Sequence, residues 1–358
     1  MSETRGSRRQ RNAPTISDVA AKAGVSPMTV SRVINGESNV RAETRKRVEA
    51  AIKALDYAPS SAARTLAGGE EIRIGLLHSN PSFTYLSAFL VGSLDQASRL
   101  NVQLMVEKCD DEDEEASAVD HLMRMRLDGI VLTPPLSESL PVLEAIHKRN
   151  LPVVAVATGR APDWALSVSI NDHAAAYEMT RHLAALGHRR IGFITGNPRQ
   201  TASDERMQGY KDALRDAGLG EAPELIAPGL FTYRSGLDAA EQLLDLADPP
   251  SAIFASNDDM AAATVAIAHR RGLDVPGDLT VCGFDDTALA TTIWPELTTI
   301  RQPVFEMSRT AIDLLVREIR ARNANSRAAQ EPHVMAEYSL IRRQSDAAPR
   351  RRPSAQRR

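Results

Sequence analysis

The sequence predicts an all-α domain with a helix-turn-helix at the N-terminus, followed by a larger α/β body built on parallel sheets. Three observations support this fold class. The chain has 358 residues, more than one hydrophobic core usually accommodates. Short helical patterns separated by a glycine turn occupy residues 15–56. From residue 71 onward, apolar strand-like runs alternate with amphipathic helical stretches.

Charge is distributed unevenly along the chain. Residues 1–68 contain 12 Lys and Arg against 6 Asp and Glu, although the whole chain has a net charge of −3. A basic head on an acidic body suggests that only the head faces a polyanion. Residues 342–358 hold 7 Arg against one Asp. Their Arg, Pro, Ala and Gln content predicts a disordered basic tail over 344–358, and we expect a second such tail over 1–13.

Several function classes are disfavoured. No apolar run approaches the ~18 residues of a membrane span, and no apolar stretch follows the N-terminal arginines as in a signal peptide. Cys109 and Cys282 lie far apart in apolar surroundings, which favours a reduced cytoplasmic protein with buried thiols. We find no nucleotide-binding, nucleophile-elbow or zinc motif, so the sequence predicts no enzyme activity, no cofactor and no metal.

The first predicted helix begins after Thr15. Thr15 and Asp18 stand three residues apart, close to a capping box. Gly24 ends the helix because it can take the left-handed conformation of a tight turn. Ser26 and Pro27 then form a helix start, with serine as N-cap and proline at the first helical position.

The second predicted helix begins at Pro27 and ends before Asn35. Its apolar residues Val30, Val33 and Ile34 face inward, which leaves a small polar face with Arg32 outside. This arrangement is typical of a helix-turn-helix whose second helix lies in the major groove. A third helix, from about Ala42 to Asp56, supplies Val48, Ile52 and Leu55 to the core and turns Arg45, Lys46 and Arg47 toward solvent or phosphate.

The stretch Thr15 to Asn35, TISDVAAKAGVSPMTVSRVIN, resembles the DNA-binding signature of the LacI/GalR repressor family. Residues 57–68 resemble that family's hinge segment, and the resemblance continues to about residue 343. It implies a helix-turn-helix domain over 14–58 and a hinge helix and linker over 59–71. The partner it implies is a palindromic operator with a central CpG step, bound by a dimer. Leu66 matches the hinge leucine that wedges into the minor groove.

The predicted DNA-binding residues combine the recognition helix with that hinge. They are Thr15, Ser26, Pro27, Met28, Thr29, Ser31, Arg32, Asn35, Tyr57, Ser60, Ala63, Arg64 and Leu66. Pro27 and Met28 depart from the polar or aromatic residues of many relatives, and apolar contact with a thymine methyl is expected there. Arg32 is a candidate for guanine or phosphate. Arg41 replaces a frequent serine cap, and Ser60 replaces a frequent asparagine.

The body is predicted to be a doubly wound α/β structure. Strand-like runs include 71–77, 102–106, 129–132, 153–156, 191–194, 252–255 and 280–284, with helical stretches such as 113–125, 173–186, 207–217 and 234–246 between them. The resemblance implies a periplasmic-binding-protein-like arrangement over 72–343 that binds an effector and dimerises. One subdomain would hold about 72–170 and 301–330, and the other about 171–299 and 331–343.

Ligands of such folds bind outside the carboxyl ends of the strands. The predicted effector-binding residues are His78, Ser79, Asn80, Asp172, Arg206, Asn257, Asp258 and Asp285. An arginine fork with carboxylates and an asparagine suits vicinal hydroxyl groups. The resemblance implies a sugar or sugar phosphate, with a purine or another metabolite as the alternative. Capping alternatives remain for Asp172, Asp258 and Asp286, and Trp164 could stack on a sugar face.

The leading hypothesis is a cytoplasmic, nucleoid-associated homodimeric repressor of carbohydrate-utilisation genes, controlled by an effector and without a membrane partner. A transport-type sugar-binding protein and a sugar-modifying enzyme are the alternatives from other classes. The residues do not distinguish repression from activation. The tail lacks a leucine heptad, so no coiled-coil tetramer is expected.

Overall fold

A computed structural model describes residues 14–34, 40–57, 72–79, 81–109, 112–326 and 331–350. Its contacts divide the chain into two units, Met1–Glu71 and Ile72–Arg358. We call them the head and the body. No helix in the described ranges is both long enough and apolar enough to cross a membrane.

The head is a small helical domain with the predicted helix boundaries. Its helices are α1 (Ile16–Ala23), α2 (Pro27–Ile34) and α3 (Ala42–Leu55). The capping box between Thr15 and Asp18 is present, and Gly24 is left-handed with φ 63°. Ser26 Oγ accepts a 3.2 Å hydrogen bond from Thr29 N and so caps α2. Arg41 makes no side-chain cap for α3, as its replacement of a serine predicts.

The core of the head is formed by Val19, Val30, Val33 and Val48, with Ile52 and Leu55 partly buried against it. Tyr57, predicted to contact DNA, is only 6% exposed and packs into this core. That prediction is therefore corrected: the aromatic ring closes the end of the helical bundle, where burial of its large apolar area stabilises the domain.

Arg47 also differs from its prediction, which placed it toward solvent or phosphate. Its Nη2 donates hydrogen bonds to Ala23 O (2.5 Å) and Gly24 O (3.2 Å). The last carbonyls of a helix have no partner within the helix, so this arginine of α3 caps α1 and holds the turn before α2.

The body contains two sheets, each of six strands among the described residues. The first has the order β11-β5-β4-β3-β1-β2 and is parallel throughout. Its strands are β1 (Arg73–His78), β2 (Gln103–Lys108), β3 (Gly129–Leu132), β4 (Val153–Val156), β5 (Leu166–Ser169) and β11 (His333–Met335). The first subdomain also contains α4 (Phe83–Leu100), α5 (Glu115–Arg124), α6 (Leu140–His147) and α12 (Val304–Asn323).

The second sheet has the order β12-β10-β9-β8-β6-β7, in which β12 alone pairs antiparallel. Its strands are β6 (Ile191–Ile194), β7 (Ile226–Ala227), β8 (Ala252–Ala255), β9 (Thr280–Asp285), β10 (Thr298–Arg301) and β12 (Ser339–Ile341). The helices of this second subdomain are α7 (Asp172–Ala185), α8 (Thr201–Asp216), α9 (Tyr233–Leu244), α10 (Asp258–Arg270) and α11 (Leu289–Thr292). Strands β3, β4, β6, β8 and β9 are buried along their whole length, as parallel sheets covered on both faces require.

The chain passes between the subdomains after β5, after β10 and after β11. The expectation that 331–343 belongs wholly to the second subdomain is wrong for His333–Met335. These residues extend the first sheet beside β5, with Val334 opposite Val168. A strand of only three residues shows too little hydrophobic periodicity to be assigned to either sheet from the sequence.

The predicted disordered tail over 344–358 is wrong for its first residues. Ser345 is fully buried and Asp346 is 7% exposed. Asp346 accepts hydrogen bonds from His182 Nε2 (2.8 Å) and Thr298 Oγ1 (2.5 Å). Burial alone would raise the pKa of Asp346, but these hydrogen bonds and Arg342 hold it below its usual value. Polar composition predicted disorder, whereas buried hydrogen bonds give this segment a fixed place.

Candidate functional site

A small cavity lies where the carboxyl ends of strands from both sheets meet. Its volume is about 30 Å³. The lining residues are Ser82, Tyr85, Pro134, Ala157, Gln200, Ala202, Arg206, Phe231, Asn257, Asp285 and Gln302. Both subdomains contribute, as expected for a ligand cleft in doubly wound folds.

Arg206, from α8, is the cation of this cavity and is 4% exposed. Its Nε donates to Asp172 Oδ1 at 2.7 Å, and its Nη1 donates to Ser256 O at 2.5 Å. The guanidinium carbon stands 3.5 Å from the ring centroid of Phe284. Fixed on two sides and stacked on an aromatic face, the guanidinium is pre-organised to offer its remaining N–H groups to a ligand.

Asp285 ends β9 beside this arginine and lines the cavity. It has φ 115° and the next residue, Asp286, has φ 58°. Two successive aspartates with positive φ store backbone strain, which is typical of functional sites. Burial raises the pKa of Asp285 well above its usual value, while the charge of Arg206 opposes that rise.

The sequence analysis missed eight of the eleven residues that line the cavity, and two of these are Tyr85 and Gln302. Tyr85 Oη and Gln302 Oε1 are buried and have no hydrogen-bond partner among the described residues. Gln302 Nε2 donates to Asp285 Oδ1 at 2.5 Å. Burial raises the pKa of Tyr85, so its phenol stays protonated. A buried polar atom without a hydrogen-bond partner costs free energy. A ligand that forms hydrogen bonds with these two atoms removes that cost and gains binding free energy.

Neither residue had a clear signal in the sequence. Tyr85 lies in the first turn of α4, after the N-cap Ser82, in a segment where no helix was identified. Gln302 directly follows β10, a strand that the apolar pattern did not reveal because three of its four residues are Thr and Arg.

Three further predicted effector residues have structural partners. Asn257 lines the cavity, yet its Oδ1 caps α10 through Met260 N (2.9 Å) and its Nδ2 donates to Phe231 O (3.0 Å). Asp172 is bound to Arg206 and does not cap α7, because Asn171 is the N-cap. Asp172 therefore acts on the cavity through the arginine.

Asp258 is not brought to the cavity, which corrects its assignment as an effector-binding residue. It is fully buried and accepts hydrogen bonds from Thr287 N (2.7 Å), Thr287 Oγ1 (3.1 Å) and Thr299 Oγ1 (2.7 Å). Burial raises its pKa to about 7, and the threonine hydrogen bonds oppose the rise. This carboxyl fastens the turn after β9 to β10.

The end of β1 and the loop after it contain three of the predicted effector-binding residues. His78 ends that strand and Ser79 follows it, and neither is among the described residues that line the cavity. Asn80 lies outside the described residues. Trp164 is not among the residues that line the cavity; its ring contacts His147, with ring centroids 4.3 Å apart and an angle of 33° between the ring planes.

The recognition helix α2 presents the predicted outer face. Met28 is 63% exposed, and Ser26, Pro27 and Arg32 are also exposed. Thr15 is exposed and hydrogen-bonded to Asp18. The predicted DNA contacts Asn35, Ser60, Ala63, Arg64 and Leu66 lie outside the described residues.

The cavity is suited to a polar, uncharged ligand. Arg206 supplies donors, Asp285 and Gln302 Oε1 supply acceptors, and the Tyr85 hydroxyl can do either. Arg206, the one cation among the described residues that line the cavity, is already paired with Asp172. Within the described residues, no cluster of three or more His, Cys, Asp or Glu side chains could hold a metal ion.

Comparison with known proteins identifies both units. Residues 15–60 match the bacterial regulatory proteins of the lacI family, and residues 180–345 match a periplasmic binding protein-like domain. Catabolite control protein A of Priestia megaterium is 34% identical over 322 residues, which cover 89% of this chain and 96% of that protein. The HTH-type transcriptional repressor CytR of Escherichia coli strain K12 is 35% identical, covering 89% and 94%.

Solved structures show the same arrangement. The lac repressor dimer bound to operator and the anti-inducer ONPF has a TM-score of 0.76 at 27% identity, covering 94% of this chain and all of that one. The complex of the transcriptional regulator CelR with cellobiose has a TM-score of 0.69 at 30% identity, covering 93% and 100%. With a lacI-type head, a periplasmic-binding-protein-like body and relatives matched over nearly their full length, this chain belongs to the LacI family of DNA-binding transcriptional regulators.

Proposed function

We propose that this chain is a repressor of carbohydrate-utilisation genes whose affinity for a palindromic operator is set by a neutral sugar or sugar derivative in the cavity. The observation that carries the proposal is the set formed by Arg206, Asp285, Gln302 and Tyr85, buried between two subdomains of a chain with a helix-turn-helix head. Its polar groups match the donor and acceptor pattern of vicinal hydroxyls.

The charges around Arg206 favour a neutral sugar over a sugar phosphate. Asp172 and Asp285 stand beside the arginine, and Asp259 lies close by on α10. A phosphate would add negative charge to a buried acidic environment, which is unfavourable unless it brings its own cation. The CelR–cellobiose complex shows a relative of this fold with a neutral disaccharide.

We propose that the protein has no catalytic activity. The carboxyls of the cavity are occupied by Arg206 and Gln302, and the relatives found are transcriptional regulators. As a DNA-binding regulator it would work in the cytoplasm, at the nucleoid.

Operator recognition would begin with α2 in the major groove. In this proposal Met28 would contact a thymine methyl, and Arg32 would contact guanine or phosphate. Because palindromic operators are read by two copies, a second chain is required. We place the dimer contact on the exposed apolar face of α4 formed by Phe83, Val91 and Leu94, which are 79%, 57% and 54% exposed. Such a patch needs cover in a stable protein.

The direct test is operator binding by the purified full-length protein on its own upstream DNA, titrated with neutral sugars and with sugar phosphates at one fixed salt concentration. Release or tightening by a neutral sugar is the expected result. A response to sugar phosphates alone would contradict the neutral-ligand proposal. If no palindrome is bound specifically, the operator-binding part of the proposal fails.

Leu66→Ala should lower specific operator affinity about 5- to 150-fold, equivalent to about 1–3 kcal/mol, because a minor-groove wedge that holds the bent duplex is lost. Fluorescence anisotropy with operator and with scrambled DNA measures the effect, and binding to scrambled DNA should change little. Leu230→Ala, on an exposed leucine of the body, is the matched control. Equal operator affinity of the Leu66 variant and wild type would exclude the wedge.

Asp285→Ala should weaken effector binding about 10-fold or more, since leaving a buried polar group without its hydrogen-bond partner costs about 1–3 kcal/mol. Operator binding without effector should persist. The readout is the sugar concentration at half-maximal operator response, with Asp245→Ala, on a surface aspartate paired with Arg271, as control. A wild-type half-maximal concentration would assign Asp285 a purely structural role.

A further inference from the structure

A second, larger pocket lies within the second subdomain of the body. Its volume is about 570 Å³, inside the range of ~300–1,000 Å³ that is usual for small-molecule sites. It is formed by the loops that follow the paired strands β6 and β7 and by the first turns of α8 and α9. The pocket therefore lies at the carboxyl ends of parallel strands, the edge of a sheet at which ligands bind. Because one subdomain supplies every described lining residue, its shape does not depend on where the other subdomain lies.

This pocket is separate from the cavity around Arg206, since the two have no lining residue in common. Helix α8 divides them. Arg206 lines the cavity, whereas Ser203 and Met207, four residues apart and so on one face of the helix, line the pocket. The ring of Phe231 completes the wall: it lines the cavity, and a Cβ on the pocket residue Gly196 would overlap it. The two sites are neighbours with a packed wall between them.

The interior of the pocket offers a ligand mainly apolar contact. Its apolar side chains include Pro198, Met207 and Pro228. Two of its hydroxyls already donate within the protein: Ser203 Oγ donates to Asn197 O at 2.6 Å, and Ser235 Oγ donates to Thr232 O at 3.0 Å. The part of a ligand that enters the pocket therefore gains most of its binding free energy from burial of apolar surface.

The charges at the rim of the pocket are both negative. Asp204 and Asp238 are the only charged side chains among the described residues that line it. Asp204 is exposed in the first turn of α8. Asp238 is 62% exposed and lies 3.5 Å from Arg234, which is 82% exposed. An exposed pair of this kind is weak, so the carboxylate can accept a second cation. Two carboxylates without a cation in the lining repel anions and attract a cationic group.

We propose that this pocket binds a small amine, with an apolar ring or chain held against the apolar side chains and a protonated amino group at Asp204 and Asp238. The site goes beyond the proposed function, because it requires neither operator nor sugar. Met207 directly follows Arg206 on α8. A bound amine therefore contacts the helix that carries the cation of the effector cavity.

Methyl NMR of the full-length protein, isotope-labelled at the methionine methyl groups, tests the site with tryptamine as the probe. The chain has ten methionines, and Met207→Leu identifies the resonance of Met207. Tryptamine should shift this resonance in a saturable way, because its indole ring would lie against the thioether. Met28 and Met335, each 63% exposed, are the controls and should not shift.

Two relatives of tryptamine test the charge at the rim. Propylindole carries a methyl in place of the ammonium group, and indole propionate carries a carboxylate there. At low ionic strength tryptamine should bind about 2- to 10-fold more tightly than propylindole, the effect expected of two exposed ion pairs, and indole propionate should bind most weakly. Asp204→Asn combined with Asp238→Asn should remove this order. Asp245→Asn, on a surface aspartate paired with Arg271, is the matched control and should keep it.

Three outcomes would overturn the proposal. The first is an unshifted Met207 methyl up to about 10 mM tryptamine, which exceeds the Kd expected of a ligand of this size. The second is an equal shift of Met28 and Met335, because the amine would then contact any exposed methionine. The third is a preference for tryptamine that survives in the double aspartate variant, because the amine would then bind elsewhere. All measurements are made without operator and sugar, so the sugar titration can fail independently.

Discussion

Arg206→Met is expected to lower the free energy of unfolding by about 3–5 kcal/mol, the usual cost of removing one partner of a buried ion pair. Methionine fills a similar volume against Phe284 but leaves Asp172 buried without its countercharge. It also frees Ser256 O, which accepts from Arg206 at 2.5 Å. Urea unfolding followed by circular dichroism measures the loss, and the variant should bind no effector.

The dependence of this loss on pH identifies its cause. Burial raises the pKa of Asp172, and Arg206 holds the rise down, so the pKa rises further in Arg206→Met. A carboxyl with a raised pKa in the folded state favours folding at low pH, and this contribution disappears as the pH rises through that pKa. The deficit should therefore be smaller at about pH 5 than at about pH 7.5.

Asp172→Asn combined with Arg206→Met is the control for the uncompensated charge. The double variant should recover much of the stability and lose the added pH dependence. A deficit that is the same at both pH values and in the double variant would show that lost packing, and not the charge of Asp172, causes the destabilisation.

Deleting residues 344–358 should destabilise the body by about 3–5 kcal/mol, because several buried groups lose their partners at a cost of about 1–3 kcal/mol each. Val281 N donates to Ser345 O at 2.9 Å, and Thr298 N donates to Ser345 Oγ at 2.9 Å. Asp346 and its hydrogen bonds to His182 and Thr298 are lost with them.

The matched truncation removes only 351–358 and keeps Ser345 and Asp346. It should leave the midpoint of urea unfolding within experimental error of wild type, while the longer deletion lowers it clearly. If both truncations behave alike, Ser345 and Asp346 contribute nothing to the stability of the second sheet, and the buried hydrogen bonds there are energetically neutral.

How far the sequence predicts this protein depends on how local each signal is. The caps at Thr15 and Ser26, the left-handed Gly24 and the apolar spacing of α2 act within a few residues, and the structure has them as predicted. Strands β3, β4, β6 and β8 have the predicted boundaries, because an apolar run between polar segments identifies a buried parallel strand. Strand β10, with three polar residues, lacks that signal.

The candidate site was predicted where a residue follows a recognisable strand or matches a family position. Arg206 and Asp285 were found in this way, and both line the cavity. Asp258 belongs to the same kind of pattern, yet its partners Thr287 and Thr299 are 29 and 41 residues away along the chain. Only the folded structure shows that these two hydroxyls donate hydrogen bonds to the Asp258 carboxylate.

The sequence by itself determined the helix-turn-helix, the alternation of strands and helices, and two charged residues of the candidate cavity, Arg206 and Asp285, since these follow from periodicity, capping and short motifs. The tertiary structure decided which groups are satisfied and which are free for a ligand. Tyr85, Asp285 and Gln302 are brought together from distant segments by sheet packing and chain crossovers. Their chemistry depends on burial and hydrogen-bond partners, which only the packed structure defines.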